Sequence, residues 1–185
     1  MSVKPFNFFA VDSRSPGLMA VVKKELSDHF TSFRFYILFF LIGIASISAV
    51  YVAALTIRKA VSAAPDINFV FMWLFTTSGR ELPPFINFVG FLAPLIGIAL
   101  GFDAINSERL RGSLSFVLAQ PLHRDALING KFLAGLLTIT LMLTALFTFV
   151  GGLGLLMTGV PPVTEEVLRI LFFLLLSILY VAFWL

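Results

Sequence analysis

The chain contains no cysteine. That excludes a disulfide framework and any thiolate metal site. Charge is nearly as scarce: 12% of residues are Asp, Glu, Lys or Arg, against about 25% in a soluble domain. Four long apolar runs hold none of these residues and no histidine. A proton- or ion-driven carrier keeps ionisable groups near the bilayer midplane, so this absence argues against secondary transport and against hydrolysis within the membrane. There is no HExxH and no histidine pair at ligand spacing, because His29 and His123 stand far apart. A phosphate-binding GxxxxGK[ST] loop is also missing. The Gly130-Lys131 pair is followed by Phe132, and Asp125 stands where the first glycine belongs. Lys131 is instead expected to snorkel at the mouth of the apolar run that follows it. A cleaved signal peptide does not fit either: the first apolar run starts only after Arg34 and is too long for an h-region.

Apolar residues make up 59% of the chain, 22 of them Phe, and mean hydropathy is +1.00. This composition indicates an all-α, polytopic helical membrane protein built as a single transmembrane domain, residues 1–185. Residues 1–16 show no clear period. Over 17–33 the residues Leu18, Val22, Leu26, Phe30 and Phe33 recur at helical spacing, with Lys23, Lys24, Ser27 and Asp28 largely on the other side. Ser15-Pro16 supplies a cap and a first turn. The pattern predicts an amphipathic helix lying in the interface, its lysines towards anionic headgroups.

Membrane spans are expected at 35–57, 85–102, 132–157 and 170–185. Ala45 and Ala49, with Ser46 and Ser48, give the first span a close-packing face. Pro94 should kink the second span or free a carbonyl, and Gly97 and Gly101 form a GxxxG pair suited to tight helix contact. Between the first two spans, Ile67–Phe75 is apolar and aromatic but too short to cross. A small interfacial or re-entrant helix fits it, with Trp73 as an aromatic membrane anchor, a reading preferred to a lid over a substrate path. The last run offers sixteen residues, roughly 24 Å of helix, less than the hydrocarbon thickness. No polar tail follows Trp184-Leu185, so the natural protein is expected to continue.

Nine of the thirteen basic residues (Lys4, Arg14, Lys23, Lys24, Arg34, Arg109, Arg111, Arg124 and Lys131) lie in the N-terminal segment or in the central loop 103–131. The positive-inside rule puts both on the cytoplasmic side. The net charge of +3 therefore reports topology and carries no nucleic-acid signal.

The central loop is far longer than a simple connection requires. It reads DAINSERLRGSLSFVLAQPLHRDALINGK. Gly112 breaks a charged helical start, Ser113–Ala119 is a short apolar piece, and Gln120-Pro121 turns the chain. The succession DxIxxER, G-S-L, a short apolar run, PxxR and GK resembles the first cytoplasmic loop of type-2 ATP-binding-cassette (ABC) exporter permeases. It is carried by Asp103, Ile105, Glu108, Arg109, Gly112, Ser113, Leu114, Pro121, Arg124, Gly130 and Lys131. The amphipathic helix with Lys23-Lys24-Glu25-Leu26 resembles the elbow helix of the same family. Ser113 stands where Thr is usual, and His123 where a small hydroxyl residue is common. Such permeases normally have six spans, about two more than this chain offers.

The resemblance implies a permease subunit that couples ATP hydrolysis by a separate ATP-binding subunit to substrate movement. It implies no catalysis on this chain, no cofactor of its own, ATP on the partner, and a second permease copy. It also implies a multi-pass protein of the plasma or inner membrane with a cytoplasmic N-terminus. The short helix of the loop would be the coupling helix. Leu114, Phe116, Val117 and Leu118 would form its apolar docking surface, bounded by Gly112-Ser113 and Pro121. Arg109 and Arg124 would meet acids or lipid phosphates, and Glu108 would pair with Arg111 one turn on. On charge pattern alone the loop reads as a solvated, headgroup-facing segment. The rival functions are a membrane scaffold that recruits a cytoplasmic protein, and a secondary transporter or channel. The substrate is not legible.

Overall fold

The structure, a computed structural model, describes residues 16–63, 69–77, 82–102 and 124–185. Among these there are six helices and no strand: α1 (Pro16–Thr31), α2 (Phe33–Ala63), α3 (Trp73–Thr76), α4 (Phe85–Gly101), α5 (Arg124–Thr158) and α6 (Thr164–Phe183). The chain is an all-α polytopic membrane protein. Helices α2, α5 and α6 are long and apolar enough to cross a bilayer, and α4 is a shorter apolar helix.

Pro16 opens α1, where its missing N–H costs no helical bond. Ser32 alone separates α1 from α2. Its N–H donates to the His29 carbonyl and its carbonyl accepts from the Phe35 N–H, so both of its backbone groups are paired at the bend. Along α2, Ile42, Ser46, Ala49, Val50, Ala53, Ala54 and Ile57 are buried. These positions are three and four apart and form one stripe towards the bundle. Tyr36, Phe40, Ile44, Ile47 and Tyr51 form the opposite, exposed face. A helix that is apolar all round, half packed and half open, is what a lipid solvent selects. Hydroxyls within the spans bond to their own helix: Ser46 to the Ile42 carbonyl, Thr138 to Ala134 and Ser177 to Phe173.

Helix α2 packs on α4 and α5, and α6 closes the group against α4 and α5. Close approach is set by glycine. A Cβ on Gly97 would lie 2.8 Å from the Val181 carbonyl oxygen and from Trp184 Cβ, and one on Gly101 would strike the Leu185 carbonyl. The GxxxG pair is thus used within the chain, to bring α4 onto α6. Pro94 sits inside α4 and cannot donate to the Gly90 carbonyl four residues back. The Tyr180 hydroxyl of α6 stands 3.4 Å from that oxygen and supplies the missing donor. Neighbouring helices satisfy a proline-freed carbonyl in this way inside membranes.

Three element limits differ from expectation. Helix α2 runs to Ala63, six residues past the expected end of the first span. Helix α5 begins at Arg124, so the last turns of the expected 103–131 loop are helical. Helix α6 begins at Thr164, six residues before the expected span, and its 20 residues cover about 30 Å, enough to cross the core. The early start follows from Glu165 and Glu166 in its first turn, where negative charge favours a helix N-terminus.

The aromatic segment between α2 and α4 is a wedge, not a surface anchor. Phe71, Leu74 and Phe75 are buried and Trp73 is half-buried. Phe75 meets Phe85 at 5.4 Å and Phe147 at 5.9 Å, and Phe147 meets Phe173 at 5.2 Å between ring centres. This aromatic nest joins α3 to α4, α5 and α6. A Cβ on Gly154 of α5 would lie 3.3 Å from Leu74 Cγ, so that glycine makes room for the wedge. Glu166, 1% exposed, accepts the Met72 N–H at 3.0 Å and the Val163 N–H at 2.9 Å.

Candidate functional site: the junction of α1 with the exit of the central loop

Of the loop residues singled out from the sequence, Glu108, Arg109, Gly112, Ser113, Leu114, Phe116, Val117, Leu118 and Pro121 lie outside the described residues. Arg124 is the first residue of α5, and its side chain also lies outside them. The described part of the site is the framework that carries the loop: α4, which leads into it, and α5, which leads out of it and lies against α1.

Helix α1 packs chiefly on the start of α5. Gly130 is the point of closest approach: a Cβ there would stand 2.8 Å from Val21 Cγ1 and 3.0 Å from Val21 Cβ. One residue on, Lys131 turns into the junction. Its Nζ lies 2.7 Å from Glu25 Oε1, and the two side chains are 8% and 9% exposed. Lys131 therefore does not snorkel to the surface. With Glu25 in reach, a buried charge-assisted hydrogen bond replaces hydration of the ammonium. Lys24 Nζ is 3.1 Å from the same carboxylate oxygen and 3.2 Å from Asp28 Oδ2, on the exposed side of α1.

Glu25 is thus held between a buried and an exposed cation. Burial pushes its carboxyl up. The hydrogen bond and charge of Lys131, followed by those of Lys24, outweigh this and hold it below the usual carboxylate range. Burial also pushes the half-buried His29 imidazole down, reinforced by Lys131, against the weaker pull of Glu25 and Asp28. Burial acts to lower the Lys24 ammonium, but the Glu25 and Asp28 carboxylates prevail and raise it.

The sequence signal for this pair is position. Leu18, Val22, Leu26 and Phe30 form the apolar stripe of α1, and Glu25 lies one turn on from the buried Val21 and Val22, on the stripe's side. An acid there needs a buried cation. Lys131, beside a glycine and just before an uncharged run, is that cation. Among the described residues, no group of three His, Asp or Glu is placed to hold a metal ion.

The geometry defines a polytopic helical membrane protein whose first helix is bolted to the exit of a long polar loop. The chain belongs to the family described as ABC-2 family transporter protein, whose model matches residues 19–185. It is also similar to the probable ABC transporter permease protein NosY of Pseudomonas aeruginosa, with 28% identity over 118 residues. That match takes in 64% of this chain and 38% of the relative, so the chain spans well under two thirds of that protein's length. No solved structure matches the chain significantly.

Proposed function

We propose that this chain is the membrane permease part of an ABC exporter. A separate ATP-binding subunit hydrolyses ATP, and the loop 103–131 docks on that subunit and passes its closure to the spans. Two permease copies, identical or related, form the path. The N-terminus and the loop are cytoplasmic, in the plasma or inner membrane. The family match over residues 19–185 carries the reading. The Glu25–Lys131 junction supports it: a load applied to the loop reaches α5 directly, and α1 through a buried ion pair.

The loop chemistry suits docking. Leu114, Phe116, Val117 and Leu118 supply an apolar patch, the usual centre of a protein contact. Arg109 and Arg124 supply charge at its edge, where it steers and orients. The test is capture of the candidate ATP-binding subunit by the full-length permease in mild detergent, beside a variant carrying Leu114→Asp and Phe116→Asp. Capture by the native loop and loss with the variant is the expected outcome. Capture by both would move the contact elsewhere on the permease. No capture, with a folded ATP-binding partner, would favour a scaffold or a secondary transporter. In the assembled transporter, Gly112→Pro or Leu114→Asp is expected to leave membrane insertion intact and to uncouple hydrolysis from transport.

A further inference from the structure

The end of the bundle opposite α1 holds a construction that the docking reading leaves unused. Helix α2 carries the chain from the α1 end to this one, where residues 69–77 turn back into the bundle instead of crossing above it. Leu74 and Phe75 are 0% and 2% exposed. They sit among Gly154 of α5, Phe85 of α4 and Phe147 of α5. Two helices, α4 and α5, thus share one short insert.

Its attachment is polar and comes from a different helix. The Glu166 carboxylate of α6 receives the Met72 N–H with one oxygen and the Val163 N–H with the other. The Arg169 guanidinium, one turn further along α6, lies over the Phe69 ring at 4.7 Å and is itself paired with Glu165. Phe69 has φ +60°, a left-handed conformation that a side chain this bulky adopts only under constraint. The segment is held in a strained form by α6 while its apolar residues rest on α4 and α5. Movement of α6 against α5 therefore removes the latch without disturbing the sequence that forms the plug.

We propose that residues 69–77 are a plug closing the outer end of the bundle, latched by Glu166 and withdrawn when α6 shifts. The proposal rests on the transporter reading and assigns its outer gate. An aromatic anchor would turn its rings to lipid, and a plain structural turn would not require a buried carboxylate from a helix 94 residues away in sequence.

Residues 1–185 hold no cysteine, so Leu74→Cys gives one reporter thiol in a full-length permease whose other cysteines, where it has any, are replaced by serine. Ser62→Cys, exposed on α2 at the same end, is the accessible control. The full-length permease with its ATP-binding subunit is reconstituted in vesicles and treated from outside with a membrane-impermeant maleimide, with and without Mg-ATP. Hydrolysis is followed in parallel. At rest the Leu74→Cys thiol should react at least about tenfold more slowly than the control, and the gap should close during ATP turnover, as for a locally opening segment. Adding Glu166→Ala should remove the resting protection, and Glu166→Gln, which keeps one good acceptor, should remove part of it. Equal protection at rest and during active hydrolysis would overturn the plug and leave the transporter reading standing. Absence of hydrolysis with a folded partner would overturn both. The reporter alone decides the matter where a Glu166 variant does not fold.

Discussion

Lys131 Nζ and Glu25 Oε1 lie 2.7 Å apart, and each side chain is less than one tenth exposed. Removing one member of such a buried pair costs up to about 3–5 kcal/mol. We expect Glu25→Gln and Lys131→Met each to lower the melting temperature of the detergent-solubilised protein. Glu25→Leu combined with Lys131→Met should lose less than the two single variants added together. An unchanged melting temperature in both single variants would place the stabilisation elsewhere.

Acid should loosen the same junction in two stages. His29 is held below its ordinary value of 6.5 and Glu25 below its ordinary value of 4.5. For each, the unfolded chain binds more protons than the native one just below the ordinary value, so stability falls as pH falls there. Melting temperature is expected to be level above pH 6.5, to fall from there as the unfolded-state histidine protonates, and to fall again below 4.5. His29→Gln should abolish the first stage and spare the second. Persistence of the first stage in that variant would assign it to another group.

Tyr180 and Pro94 should be coupled. The Tyr180 hydroxyl stands 3.4 Å from the Gly90 carbonyl, which Pro94 leaves without its helical donor. Tyr180→Phe is expected to cost about 0.5–1.5 kcal/mol, the net worth of a hydrogen bond. In a Pro94→Ala background the helix supplies its own donor, and the same change should be nearly neutral. A double-mutant cycle of thermal stability measures the difference. Additive effects would mean that the hydroxyl does not serve that carbonyl.

The approach of α1 to α5 depends on a missing side chain. Gly130→Ala places a methyl 2.8 Å from Val21 Cγ1, too near for carbon atoms. We expect Gly130→Ala to destabilise the junction by about 1–3 kcal/mol, the usual cost of overpacking. Val21→Ala removes Cγ1 and should restore part of the loss. The readout is protection of α1 from protease in detergent. No rescue would show that Val21 is not the obstacle.

Much of the architecture was open to reading because the bilayer writes it in composition. A run without charge from Phe35 to Ile57 has few fates besides crossing, and the family resemblance was carried by spaced residues in 103–131. The effect of Pro94 was legible as a freed carbonyl; that Tyr180 would serve it was not, since residues 86 positions apart share no local pattern. Lys131 shows the limit most clearly. Taken alone, a lysine at a helix mouth snorkels, and the tertiary approach of Glu25 offers it a buried alternative. At Trp73 a short re-entrant helix was one of the two expected forms, and only the preferred role of aromatic anchor differs, for a related reason. Aromatic residues favour interfaces and close-packed interiors alike, and the choice was made by Gly154 and Glu166, both distant in sequence. The start of α6 was read too late because Glu165, Glu166 and Arg169 look like loop when judged by hydropathy. They are the charged first turns of the helix.

The junction also has a history within each molecule. Glu25 and Lys131 are 106 positions apart, so at roughly 5–20 residues per second the acid leaves the ribosome some seconds to tens of seconds before its base. Two hydrophobic helices must be delivered to the lipid in between. During that interval α1 waits at the surface with an acid on its apolar side, tied to nothing that comes later. The last-made partner then fastens the first-made helix. A nascent chain that stops before residue 131 holds Glu25 beside Lys24, next to it on the same helix, and without its buried cation.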